Sequence, residues 1–221
     1  VKSGGAVNAV VAKLQSVEYI QSVESSTRAR LAERGLTAKY RFDKMIGDSP
    51  QLREAIRKAK RYSGVDSIVL ITGESGTGKE LFAQSIHNHS PRANGPFVAI
   101  NCATLPASLL ESELFGYSEG AFTGAKRGGK VGLFELAHNG TIFLDEIAEI
   151  GTPIQAQLLR VMEEKQIMRI GDDKIIPVNV RIIAATNKNL RKMVQQEKFR
   201  EDLFYRINVL ELHLPPVCER E

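Results

Sequence analysis

Gly73-Glu74-Ser75-Gly76-Thr77-Gly78-Lys79 is the stretch on which the fold turns. Its spacing is G-x-x-x-x-G-K. An apolar run (residues 67–72) precedes it, and a helical pattern from Lys79 to about His89 follows. In a strand–glycine loop–helix unit, backbone N–H groups turn inward on an anion. The helix start adds its dipole, and the lysine adds a mobile charge. Gly73, Glu74, Ser75, Gly76, Thr77, Gly78, Lys79 and the next residue, Glu80, are therefore the candidate phosphate contacts. The general form of this loop carries Ser or Thr after the lysine to hold Mg²⁺. Here Glu80 stands there, so water or the Thr77 hydroxyl has to fill that ligand position.

Downstream, Thr141-Ile142-Phe143-Leu144-Asp145-Glu146 reads as a buried strand that delivers two carboxylates to its C-terminal end. Ligands bind at that edge in open α/β sheets. Asp145 is the candidate Mg²⁺ ligand, directly or through water, and Glu146 the candidate general base for an attacking water. A further apolar strand, residues 180–184, is followed by Thr186 and Asn187. This polar pair either orients the lytic water or senses the terminal phosphate; alternatively Asn187 is the cap of the next helix.

The intervening segments fit the same plan. Asp48-Ser49-Pro50 is a helix start, with a capping side chain and Pro at the first helical position. Strand is expected at Phe97–Asn101 and helix through residues 108–114. A glycine-rich loop is expected over residues 116–129 and a hairpin over 167–176. Thr152-Pro153-Ile154-Gln155 reads as a capping box opening another helix. Strands apolar on both faces, alternating with helices, predict an α/β fold: a parallel sheet sandwiched by helices.

Composition agrees. The 221 residues are 43% hydrophobic and 25% charged, which excludes a disordered, collagen-like or disulfide-stapled chain. No apolar run approaches the roughly 20 residues of a membrane span, and no signal-peptide pattern is present. The net charge of +4 is interspersed, as on a solvated surface. Cys102 and Cys218 have no metal-binding spacing. His87 and His89 stand at i and i+2, so a helix turns them to different faces and they cannot chelate one ion. Residues 1–39 are read as a helical linker; Val7, Val10, Leu14 and Val17 form a heptad seam that Gln21 and Glu24 interrupt, with a short dimerising helix as the sharper alternative. The compact domain is expected over residues 40–221.

These parts, in this order, resemble a P-loop AAA+ ATPase. Gly120-Ala121-Phe122-Thr123-Gly124-Ala125 narrows the resemblance, because GAFTGA marks the AAA+ domain of sigma-54-dependent bacterial transcription activators, the enhancer-binding proteins. The stretch Gly73–Glu80, Glu80 included, also looks like this family. So do Glu113-Leu114-Phe115-Gly116 and Phe199-Arg200-Glu201-Asp202-Leu203-Phe204-Tyr205-Arg206. The passage Arg34 to Phe42 is similar to the entry segment of propionate-regulator-like members.

The resemblance implies an ATP-hydrolysing, cytoplasmic protein with ATP and Mg²⁺ as ligands, assembling as a ring, usually a hexamer. It implies that Arg200 and Arg206 are arginine fingers offered to a neighbour's nucleotide; the alternative is surface pairing with Glu201 or Asp202. Asn101 matches a switch asparagine expected to hold Glu146, and Ile46 and Gly47 match the segment lining the adenine pocket. The GAFTGA loop is expected to engage sigma-54 in the RNA polymerase holoenzyme and remodel the closed promoter complex, with the 167–176 hairpin as a second pore loop. Lys126 and Arg127 are candidate promoter contacts; enhancer DNA is expected to be read by a C-terminal domain. The helical lid of AAA+ domains is expected to lie beyond this chain. Two rivals stand beside this reading: a generic AAA+ unfoldase, whose pore loop needs no complete GAFTGA, and a non-catalytic nucleic-acid-binding module, which leaves Glu146, Thr186, Asn187 and both arginines without a purpose.

Overall fold

The computed structural model describes residue 33 and residues 35–219, and the compact unit that carries the site begins at Ala38. The expected heptad seam lies outside the described residues.

The first helix, α1 (Pro50–Ser63), starts as read. Ser49 accepts a hydrogen bond from the Leu52 N–H at 3.3 Å, and Pro50 occupies the first turn, where a missing N–H costs nothing. Then come β1 (Val69–Thr72), α2 (Lys79–Asn88), β2 (Phe97–Asn101), α3 (Ala107–Phe115), and a two-residue ladder of β3 (Gly116–Tyr117) with β4 (Lys130–Val131). Next are α4 (Leu133–Leu136), β5 (Thr141–Asp145), α5 (Thr152–Glu164), the hairpin β6 (Gln166–Met168) and β7 (Ile175–Pro177), β8 (Arg181–Thr186), α6 (Leu190–Gln195), α7 (Glu201–Ile207) and β9 (Leu210–His213).

Five strands form one parallel sheet in the order β2-β5-β8-β1-β9. One face packs on α1 and α2 through Val69, Ile71, Phe143, Ile183 and Leu212 against Leu52, Ala59, Phe82 and Ile86. The alternate residues Leu70, Ile142, Leu144, Ile182 and Ala184 are buried as well, so the opposite face is also covered. This is the sandwiched sheet expected of continuous apolar strands. Among the described residues no helix is long and apolar enough to cross a membrane.

Several details differ from the sequence reading, among them the short helices α4 and α7 and the β3–β4 ladder, which it did not anticipate. The capping box at Thr152 does not form. Gly151 is the N-cap, Thr152 is already helical, and the Gln155 side chain bonds elsewhere. Strand β9 was not anticipated, because Glu211 and His213 face solvent on a sheet edge and break the apolar run.

Candidate functional site

The ends of β1, β5 and β8 bring the predicted residues to one edge. After β1 the chain turns through Gly73–Gly78, and Gly78 takes a left-handed conformation (φ 79°, ψ 32°) as the N-cap of α2. A side chain there is strained, so glycine is the residue that lets the loop close onto the helix start. Lys79 is buried. Its Nζ donates to the Gly73 and Glu74 carbonyls at 3.1 Å each. The loop is thus held closed by the cation that the sequence assigned to phosphate.

Lys79 Nζ also lies 3.8 Å from Glu146 Oε1, so loop and carboxylate edge meet. Asp145 ends β5, and burial pushes its carboxyl above the ordinary range, although the Glu146 N–H and Lys79 act against this. Glu146 stands in the left-handed region (φ 49°, ψ 49°). For a non-glycine residue that costs of order 1–3 kcal/mol, and such strain collects at functional sites. Its Oε2 faces the Asn187 N–H at 3.5 Å.

At this edge several of the predicted side chains have other partners than those expected. Asn101 does not hold Glu146: its Nδ2 donates to Asp145 Oδ2 at 3.4 Å, because β2 and β5 pair Asn101 directly with Asp145. The Thr77 hydroxyl is buried and donates to Glu74 O at 2.8 Å, which fixes it inside the loop. The exposed Glu80 accepts from Gln84 Nε2 at 3.0 Å. Thr186 is buried, and its hydroxyl accepts the Lys188 N–H, so of the Thr186–Asn187 pair only Asn187 is open to solvent. The alternative of Asn187 as helix cap fails, since Asn189 caps α6 by accepting from the Lys192 N–H. A cleft of about 570 Å³ opens here, lined by Gly73, Glu74, Thr186, Asn187 and His213 among others.

Other predicted residues stand on other elements. Ile46 is 98% exposed and precedes Gly47 in an irregular segment ahead of α1. Arg200 is the N-cap residue of α7 and forms a two-point pair with Asp202 at 3.0 and 2.7 Å. The pairing alternative therefore describes Arg200 in the single chain. Arg206 instead donates to Met162 O at 3.2 Å. His87 bonds to Thr141, and the His89 ring packs on Phe42, so the two histidines have separate surroundings.

Residues 118–129 join β3 to β4. Gly120 and Gly124 have positive φ, and Phe122 is 45% exposed with its ring set edge-on against Tyr117, centroids 4.9 Å apart. Thr123, Lys126 and Arg127 are exposed. The base of this loop is tied to the β6–β7 hairpin. Ser118 N donates to Ile170 O at 3.0 Å, Ser118 Oγ to Gly171 O at 2.8 Å, and Ile170 N to Gly116 O at 3.0 Å. Ser118 was not singled out in the sequence; a lone serine in a polar loop carries no local signal.

Comparison with known proteins follows the same outline. The family model described as the sigma-54 interaction domain matches residues 45–213. A signal-transduction and transcriptional-control protein from Clostridium beijerinckii is 59% identical over 184 residues, 83% of this chain and 29% of that protein. The Nif-specific regulatory protein of Azotobacter vinelandii is 48% identical over 218 residues, 96% of this chain and 42% of its own length. The chain thus spans well under half of these relatives. Among solved structures, NtrX from Brucella abortus in complex with ATP superposes with a TM-score of 0.75 at 34% identity, covering 99% of this chain and 45% of NtrX.

Proposed function

The chain belongs to the sigma-54 interaction domain family, and on that footing we propose that it is the AAA+ ATPase core of a sigma-54-dependent transcription activator. Residues 1–39 serve as the linker from a sensory domain, and residues 40–221 as the nucleotide-binding subdomain. One observation carries the catalytic half of this reading: the 3.8 Å approach of Lys79 to Glu146 at the edge where Asp145 and Asn187 also end.

On this reading ATP lays its phosphates on the Gly73–Gly78 N–H groups, and Lys79 exchanges its two carbonyl partners for phosphate oxygens. Such an exchange is favourable because hydrogen bonds between charged partners are the stronger kind. Glu146 accepts a proton from the attacking water, and Asn187 lies beside it to orient that water. Asp145 presents a hard oxygen donor suited to Mg²⁺, which keeps several waters and needs only one or two carboxylates. Bound there, Mg²⁺ supplies charge neutralisation at the phosphates. Asn101 orients Asp145. Ile46 and Gly47 lie against the adenine.

The subunits form a ring, a hexamer in the family's usual form, and Arg200 and Arg206 meet the neighbour's nucleotide. A finger of this kind is worth about 10³–10⁵ in rate. Hydrolysis moves the β6–β7 hairpin, and the Ser118–Gly171 and Ile170–Gly116 bonds pass that motion to the GAFTGA loop. Gly120, Ala121, Phe122, Thr123, Gly124 and Ala125 then engage sigma-54. The exposure of Phe122 supports this, since an apolar ring on an exposed loop is a natural anchor for a partner.

The test is Phe122→Ala and, separately, Thr123→Ala in the full-length protein. ATPase stays within about twofold, whereas transcription from a sigma-54 promoter falls at least about thirtyfold, as for loss of an interface hot spot of about 2 kcal/mol. Retained activation by both variants rejects the output loop.

A further inference from the structure

Gln155 is fully buried near the start of α5, and both ends of its amide are engaged. Nε2 donates to Ile150 O at 2.9 Å and to Lys198 O at 3.1 Å. Oε1 accepts from the Arg200 N–H at 2.8 Å. Gln155 borders a small cleft with Glu197, Lys198, Phe199 and Arg200, yet its own surface is fully covered. For a buried amide a missing partner is costly.

The two ends of this bridge are not equivalent. Ile150 closes the short turn Ile147–Glu149, whose cap residue is Glu146. Arg200 opens α7, and its guanidinium direction is set by Asp202. One amide therefore joins the turn behind the candidate base to the backbone of a candidate arginine finger, across 45 residues of sequence. Helix capping does not account for it, because the cap of α5 is Gly151 and carries no side-chain bond.

We infer that Gln155 is a positioning residue that fixes the Arg200 backbone relative to the Glu146 turn, so that the state of one subunit's site governs the arginine offered to the next. This rests on the reading, given above, that Arg200 acts on a neighbour's nucleotide.

The experiment uses the full-length protein and follows ATP binding and turnover. Gln155→Met keeps the length of the side chain and removes every hydrogen bond. It binds ATP within about twofold of wild type, while kcat falls about a hundredfold with KM little changed, the size expected when a catalytic group is displaced by about 1 Å. Mixed in equal amounts with Glu146→Gln, which keeps its arginines but lacks the base, it recovers up to about a quarter of wild-type turnover, because one subunit's site is completed by the next in a head-to-tail ring. A residue needed only within its own subunit gives no such recovery. Arg200→Ala mixed with Glu146→Gln tests the underlying reading separately. Recovery with Arg200→Ala but not with Gln155→Met overturns the role of Gln155. Failure of both mixtures removes the shared site, and this inference with it. Turnover of Gln155→Met alone near the wild-type rate also overturns it. Should Gln155→Met fail to bind ATP, Gln155→Asn, which keeps a polar amide but is one methylene too short to span the bridge, replaces it in the same mixtures with the same criteria.

Discussion

Lys79 Nζ stands 3.8 Å from Glu146 Oε1 while donating to the Gly73 and Glu74 carbonyls, so one buried cation links the glycine loop to the strand-end carboxylate. Three oxygen partners thus surround a charge that is too costly to bury alone. Lys79→Ala removes both the phosphate charge and these bonds. ATP affinity measured by calorimetry is expected to fall at least about thirtyfold, the scale of one or two charge-assisted hydrogen bonds. Unchanged affinity excludes the loop as the nucleotide site.

Glu146→Gln preserves size and the acceptor for the Asn187 N–H but cannot take a proton. On the proposed reading ATP binding persists while turnover in the full-length protein drops by about 10²–10⁴, the usual worth of a general base. Wild-type turnover assigns that role elsewhere.

The phosphate loop, the strand-end acids and the sheet were legible because each combines a continuous apolar strand with residues whose spacing has a mechanical reason. The resemblance at GAFTGA singled out the β3–β4 loop, and Phe122 is exposed there. What could not be read locally is where a side chain goes when a distant backbone competes for it. Gln155 has the spacing of a capping-box partner, yet Ile150, Lys198 and Arg200 claim its amide. Asn101 sits opposite Asp145 rather than Glu146 because sheet register decides its neighbour. Asn189, two residues beyond the anticipated position, caps α6.

His87 offers a pH test of the core. Its ring packs against Phe97 at 5.3 Å, and its Nδ1 lies 2.9 Å from Thr141 Oγ1. Burial, aided by the nearby charges of Arg181 and Arg92, pushes the imidazole down to about 4. In the unfolded chain it titrates near 6.5. Between these values the unfolded state holds a proton that the folded state refuses. Stability is therefore complete above about pH 6.5 and declines as pH falls toward 4, by roughly 3 kcal/mol for this residue. Urea midpoints at pH 7.5, 6 and 5 should fall more steeply for the wild type than for His87→Gln. Parallel curves refute the assignment.

Gly171 brings the hairpin close against the GAFTGA loop. It has φ +74°, and a Cβ built on it would lie 2.6 Å from the Ala121 Cβ and 2.8 Å from the Ala121 Cα. The left-handed backbone alone costs an alanine about 1–2 kcal/mol, and the overlap forces the hairpin off the GAFTGA loop. The bonds from Ser118 to Ile170 and Gly171 are then lost or stretched. Neither residue belongs to the glycine loop or the carboxylate edge, so ATPase of Gly171→Ala should stay within a few-fold of wild type. Transcription from a sigma-54 promoter should drop at least about tenfold, a coupling loss of about 1.4 kcal/mol. Adding Ala121→Gly removes the 2.6 Å overlap but leaves the 2.8 Å approach to the Cα and the backbone strain, so the double variant should regain only part of the lost output. Full output from Gly171→Ala alone shows that the hairpin does not drive the loop through this contact.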